Sequence, residues 1–343
     1  MQKHIIYILT IFCSISCTHP MDKTCINTPE GNMEYLWKTI DQKYCFHEEK
    51  GIDWQGVHDL YLPQIQSLDP KDYHGLFDLL AQMLDTLQDG HVNLYSDFDI
   101  SSCTKWYEGY AKNFDWQIIQ KKYLHDYRIA GSLYYNTIDE GRVGYIYYSS
   151  FSNGFNASNI YEVLKTFNNC NGIVLDVRNN GGGAMDNAYK LASTFIENDT
   201  IAGYWQHKTG PGHNDFSELE EMWIHADDMP VKWLKPVIIL SNRNAFSATN
   251  FFISCMKNCA PNCIVLGDKS GGGGGMPMSY ELPNGWMVRF SSIKMTDINK
   301  QSIEEGIDPD LNVQMLSTDC DDILDAAIEY INSKTIHKIK NYI

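Results

Sequence analysis

The sequence predicts an α/β fold with a larger α/β core over residues 143–343 and a smaller helical N-terminal cap domain over residues 33–100. Two features of the core and one of the cap carry this. From Val143 onward, apolar strand-like runs alternate with helix-like runs. Two of those strands, "GIVLDV" and "VIIL", are apolar almost throughout, as parallel strands covered on both faces must be. Between Met33 and about Gln88 the period is helical, and "LFDLLAQMLDTLQ" puts Leu76, Leu79, Leu80, Met83, Leu84 and Leu87 on one face.

The elements follow in order. Residues 1–17, "MQKHIIYILTIFCSISC", combine Lys3, an apolar segment from Ile5 to Ile15 and small residues ending in Cys17. That is the pattern of a lipoprotein-type bacterial signal peptide, with Cys17 as the lipidated residue. It implies an exported protein held at the membrane only by a lipid anchor, facing the periplasm or the cell surface. Residues 18–32 are polar and suit a tether. In the cap, Gly90 is expected to stop the helix around residues 76–88. Residues 101–142 read as connecting strands and loops. In the core, "VGYIYY" is a strand, "ASNIYEVLKTF" a helix, "GIVLDV" a strand and "MDNAYKLASTFI" a helix. "VIIL" is a strand that leads through "NAFSATN" into "FFISCMK", a helix. "MSYELPNGWMVRFSS" reads as a hairpin over Pro-Asn-Gly, and "DDILDAAIEYIN" as an amphipathic helix.

Composition removes some functions. The formal charge is −16, from 43 acidic and 27 basic residues, and there is no Lys/Arg run to meet a phosphate backbone. Nucleic acid is therefore not an expected partner. "GGGAMD" fails the dinucleotide-binding spacing, and neither glycine run is followed by the Lys-Ser/Thr of a phosphate loop. Cys255, Cys259 and Cys263 are evenly spaced, but no fourth ligand stands at a zinc-site spacing, so a disulfide or buried thiols are expected there.

Four segments carry candidate chemistry. "NAFSATN" presents Ser247 at the mouth of a helix, either as an N-cap or as a nucleophile. "LDVRNNGGGAMDNA" offers backbone N–H groups at a strand-to-helix turn, suited to an oxyanion. "LQDGHVNLY" sets His91 just past a helix end, and "SIEEGIDPDLNV" puts Glu304 and Glu305 in a Gly/Pro-punctuated loop.

Together, "GIVLDVRNNGGG", "NAFSATNFF", "LGDKSGGGGG…LPNG" and "EEGIDPD" stand in the order and spacing of the tail-specific, or C-terminal processing, serine peptidases, and "QDGH" resembles their tricorn-like branch. The resemblance covers about residues 34–333. It implies a Clp protease/crotonase-like core and an endopeptidase acting on peptides or unfolded protein segments, without metal or organic cofactor. It implies Ser247 as nucleophile, His91 as general base and Glu304 as distal carboxylate, with Glu305 the neighbouring alternative. Gly182 and Ala248 would supply the oxyanion hole. The main branch's Lys base is missing, since "SGGGGG" stands in its place and Lys269 precedes it. Some fifty residues separate His91 from Val143, too few for a complete PDZ domain. An imidazole base implies activity rising with pH near about 6.5, moved upward by a Glu304 carboxylate beside it. The alternative is a non-catalytic peptide-binding lipoprotein that keeps the peptidase fold.

Overall fold

The structure is a computed structural model and describes residues 26–340; Cys17 and the export segment lie outside the described residues. The first helix opens earlier than the expected Met33. In α1 (Pro29–Lys43) the side chain of Thr28 accepts the Gly31 N–H, and Pro29 occupies the first turn, where it costs no hydrogen bond. It is followed by α2 (His47–Lys50), α3 (Trp54–Gln66) and α4 (Tyr73–Asp85). Asp53 and Asp72 cap α3 and α4 by accepting from Gly56 and Gly75. On α4, Leu76, Leu80, Met83 and Leu84 are buried, while Leu79 is half-buried and Phe77 takes a place in the core.

Gly90 does not end α4. The helix stops at Asp85, and Gln88 takes the left-handed conformation at φ 46°. Gly90 is instead required by packing, because a Cβ there would stand 2.6 Å from Trp106 Nε1 and 2.8 Å from the Phe246 ring.

The rest of the chain builds two sheets. After β1 (Asn93–Tyr95) and the one-turn α5 (Trp116–Ile118) come β2 (Arg128–Ala130), β3 (Leu133–Ile138) and β4 (Val143–Tyr148). Then follow α6 (Ala157–Thr166), β5 (Gly172–Asp176), α7 (Met185–Ser193), β6 (Thr200–His207), β7 (Glu220–Ile224), β8 (Val237–Ser241) and α8 (Ala248–Cys259). The chain ends with β9 (Cys263–Gly267), β10 (Gly275–Glu281), β11 (Met287–Thr296), β12 (Leu311–Asn312) and α9 (Asp322–Lys340). One sheet has the order β12-β9-β8-β5-β4-β3-β2, parallel from β12 to β4 and antiparallel beyond. Every residue of β5 and β8 is buried, as their apolar runs require. The second sheet is antiparallel, ordered β1-β11-β6-β7 with β10 also on β11. β10 and β11 form the expected hairpin around Pro283-Asn284-Gly285.

The helical region is not a free-standing cap. Its core residues Leu36, Leu80 and Leu84 share one cluster with Val288 and Phe290 of β11, and β1 pairs with β11 through Asn93–Arg289 and Leu94–Val288. That pairing carries the segment around His91 onto the core. The seven described cysteines are free thiols, with Cys255 buried and Cys259 and Cys263 half-buried.

Candidate active site

Three loops meet at the carboxyl ends of adjacent parallel strands β5, β8 and β9, where open α/β sheets place their ligand sites. The β8 loop carries Ser247. It is held from both sides: Phe246 N–H donates to the Asn180 carbonyl at 3.1 Å, and Ser247 N–H to the Gly272 carbonyl at 2.9 Å. Ser247 takes φ 59° and ψ −122°, a conformation costly for a residue with a Cβ. Its side chain does not cap α8. It lies instead 2.8 Å from His91 Nε2, across 156 residues of sequence. Ser247 and His91 are thus brought together at hydrogen-bonding distance.

The glycine-rich segment after β9 makes this approach feasible. Gly273, at φ 82°, lies so close that a Cβ would stand 3.1 Å from His91 Cε1 and 2.6 Å from the Phe246 ring. Lys269, at the head of that segment, turns to Asp308 at 3.9 Å.

His91 is 2% exposed. Burial pushes its imidazole pKa down to about 4; Asp89 opposes this, while Arg289 and Lys50 push further in the same direction. The imidazole pKa is therefore lowered from the ordinary histidine value and not raised. Asp89, also buried, accepts the His91 backbone N–H at 2.8 Å and stands 4.0 Å from Nδ1. Nδ1 itself is buried and has no hydrogen-bond partner.

Glu304 occupies a different position from the one expected of a carboxylate beside the imidazole. Its Oε1 pairs with Lys50 at 2.8 Å and its Oε2 accepts the Gly274 N–H at 2.8 Å. Burial, with the charge of Asp89, raises its pKa, and Lys50 pulls it back. Glu305 is exposed. A cleft of about 500 Å³ opens beside this group, lined in part by Lys50, Trp106, Arg243, Phe246 and Glu304.

The oxyanion donors divide. Ala248 is the first residue of α8, so its N–H belongs to the unpaired first turn. Gly182 lies against Ser247: a Cβ on it would stand 2.8 Å from Ser247 Cβ and 3.0 Å from Ala248 N. Its N–H, however, donates to Asn180 Oδ1 at 3.0 Å. The expected open donor is therefore engaged, because Asn180 folds its side chain back over the turn, where it also accepts from Phe151 N–H at 3.3 Å.

Sequence reasoning missed Asp89, Lys50 and Asn180. Asp89 and Asn180 stand inside the quoted motifs, two residues before His91 and Gly182, a spacing at which an aspartate or asparagine can accept the later backbone N–H. Lys50 had no local signal. Arg178, also within a quoted motif and two residues after Asp176, which accepts its backbone N–H, is fully buried between Asp176 at 2.6 Å and Asp321 at 2.8 Å and ties β5 to the start of α9.

Comparison with known proteins agrees with this architecture. The model of peptidase family S41 matches residues 142–313, half of the chain, and that of the tricorn protease C1 domain matches residues 27–85. His91 falls between the two. A crystal structure of a peptidase candidate from Parabacteroides merdae is 42% identical, with a TM-score of 0.83 over 89% of this chain and 96% of that one. Mature CPAF shares the fold, at TM-score 0.65 and 12% identity over 89% of this chain and 95% of its own. A CtpA-like serine protease of Staphylococcus saprophyticus subsp. saprophyticus is 31% identical over 144 residues, 41% of this chain. The match spans only 27% of that relative's length. An α/β core joined to an N-terminal helical region is also the fold shared with the photosystem II D1 C-terminal processing protease. The chain belongs to peptidase family S41.

Proposed function

We propose that the chain is an exported serine endopeptidase that hydrolyses peptides or unfolded protein segments through an acyl-enzyme. The observation that carries this is the 2.8 Å approach of Ser247 Oγ to His91 Nε2, made by a serine in a strained turn at a helix mouth. His91 takes the Ser247 proton as Oγ attacks the peptide carbonyl. The C–N bond then breaks, His91 returns the proton to the leaving amine, and water attacks the acyl-enzyme by the same route. Ala248 N–H stabilises the oxyanion. Gly182 N–H joins it once substrate binding draws that donor away from Asn180 Oδ1.

Asp89 is the carboxylate we assign to His91. A neutral imidazole that accepts at Nε2 carries its proton on Nδ1, and Asp89 Oδ1, at 4.0 Å, is the carboxylate that stands beside that nitrogen. Glu304 acts one step further out, by holding Lys50 and the Gly274 backbone.

The export reading rests on the apolar run ending at Cys17. No helix among the described residues is long and apolar enough to cross a membrane. A lipid on Cys17 would attach the protein to the membrane, facing the periplasm or cell surface, and mass spectrometry of the native N-terminus would detect it as added diacylglyceryl mass.

Covalent labelling with a fluorophosphonate probe tests the enzyme. Labelling is expected in the native chain and absent in Ser247→Ala. A folded chain that never labels and never cleaves a peptide library would sink the proposal in favour of a peptide-binding protein.

A further inference from the structure

Away from Ser247, a second cluster joins the helical region to the loop between β6 and β7. Asp41 stands near the end of α1, His47 opens α2, and His213 lies in that loop. Each presents a ligand atom, and these atoms all lie within 4.8 Å of one another. We propose that Asp41, His47 and His213 bind a divalent transition-metal ion, Zn²⁺ by ligand chemistry, that ties the N-terminal helices to the β6–β7 loop.

His47 is the informative residue. It is 2% exposed and packed against Tyr44 and Trp54. Its Nε2 faces the Ile40 carbonyl at 3.1 Å, so the proton sits there and the lone pair is on Nδ1. That Nδ1 is buried without a hydrogen-bond partner. A buried acceptor left unmet is costly, and an imidazole whose other nitrogen donates to a backbone carbonyl is oriented as metal-binding histidines are.

His213 is arranged in the same sense. Its Nε2 stands 2.8 Å from Asp41 Oδ1, and its Nδ1 is 3.7 Å from Glu48 Oε1. Glu48 is thus the carboxylate that Nδ1–H faces, which leaves Nε2 to a cation beside Asp41. Two imidazoles and a carboxylate form a zinc-type donor set, completed by water. At Zn–ligand bonds of about 2.0–2.1 Å, neighbouring ligand atoms stand about 3.3 Å apart. The two rings lie face to face, with centroids 4.1 Å apart and planes at 14°, so binding draws the ligand atoms together and turns the His213 ring on its loop until both ring planes meet at the ion. Lys208 opposes a cation, but its ammonium is tied to the Gly212 carbonyl, and Asp41 and Glu48 outnumber it.

A hydrogen bond between His213 and Asp41 alone would explain the loop contact but not the unmet Nδ1 of His47. The proposed ion has no part in the chemistry at Ser247.

The test uses the full chain, stripped with a chelator and titrated with Zn²⁺ against a chromophoric competitor, with Co²⁺ as a spectroscopic probe. One ion per chain is expected at micromolar concentration, with a rise in Tm and Co²⁺ bands free of thiolate charge transfer. His213→Ala and Asp41→Asn, both at partly exposed positions, should each weaken binding at least about tenfold. His58→Ala, at the separate cluster with Glu34 and Asp59, should leave it unchanged. No binding at micromolar Zn²⁺, thiolate bands with Co²⁺, or binding insensitive to both ligand variants would overturn the site. Fluorophosphonate labelling equal in stripped and loaded chains keeps this outcome separate from that of the peptidase assignment.

Discussion

Asp89 Oδ1 accepts the backbone N–H of His91 at 2.8 Å and stands 4.0 Å from Nδ1 of the same residue's ring. One carboxylate thus fixes the main chain of the histidine and supplies the negative charge nearest its imidazole. Glu304 is engaged elsewhere, with Lys50 and the Gly274 backbone.

The first prediction separates these two carboxylates. Asp89→Asn should lower kcat by roughly 10²–10⁴, with KM little changed, because the imidazolium formed in the reaction loses the negative charge nearest it. Asp89 raises the His91 pKa, so the residual activity of Asp89→Asn should show its acid limb at lower pH. Glu304→Gln keeps an acceptor for Gly274 N–H and should cost less activity. A Glu304→Gln chain more damaged than Asp89→Asn, with the fold intact by circular dichroism, would reverse the assignment.

pH gives the second. In the proposed mechanism the His91 imidazole works in its neutral form, and burial pushes its pKa down to about 4. Activity should persist well below pH 6.5 and fall only toward about pH 4. Stability carries the opposite cost. The unfolded chain binds a proton at His91 near pH 6.5 and the folded chain resists it, so stability drops as pH falls between those values. For this one group the loss is on the order of 3 kcal/mol. Urea midpoints measured at neutral pH and near pH 4.5 should reveal the decline, and His91→Gln should reduce it.

The turn beside Ser247 gives the third. Gly182 takes φ 97°, and a Cβ would stand 2.7 Å from the Phe246 carbonyl oxygen and 2.8 Å from Ser247 Cβ. Gly182→Ala should displace Ser247 from His91. Peptide turnover should drop by at least about 10²-fold, the scale of losing one oxyanion donor, while far-ultraviolet circular dichroism stays native. Unaltered turnover would mean that the turn tolerates the methyl group and has no close role.

The fourth concerns the fold. Arg178 is fully buried between Asp176 and Asp321, and its guanidinium also donates to the Asn113 carbonyl at 3.1 Å. Arg178→Leu would leave two buried carboxylates without their cation. A loss of about 3–5 kcal/mol is expected from urea unfolding. A loss below about 1 kcal/mol, the scale of a surface pair, would mean that water reaches the cluster.

The sequence by itself determined the alternation of apolar strands and helices after Val143, the buried face of α4 and the hairpin over Pro-Asn-Gly, because each is written in a local period or turn. It also singled out Ser247 and His91: the serine's own segment fitted an N-cap as well as a nucleophile, and the resemblance of the joined motifs favoured the nucleophile. Only the tertiary structure shows that the Ser247 hydroxyl turns to His91 and does not cap α8. The pairing of β1 with β11 carries His91 across 156 residues to Ser247, and no local pattern encodes a register between distant strands. The same holds for charges. Lys50 meets Glu304 across the boundary between helices and core, and Asp89 rather than Glu304 lies beside the imidazole. A carboxylate's partner is set by which surfaces pack together, and that packing also buries His91 and lowers its pKa.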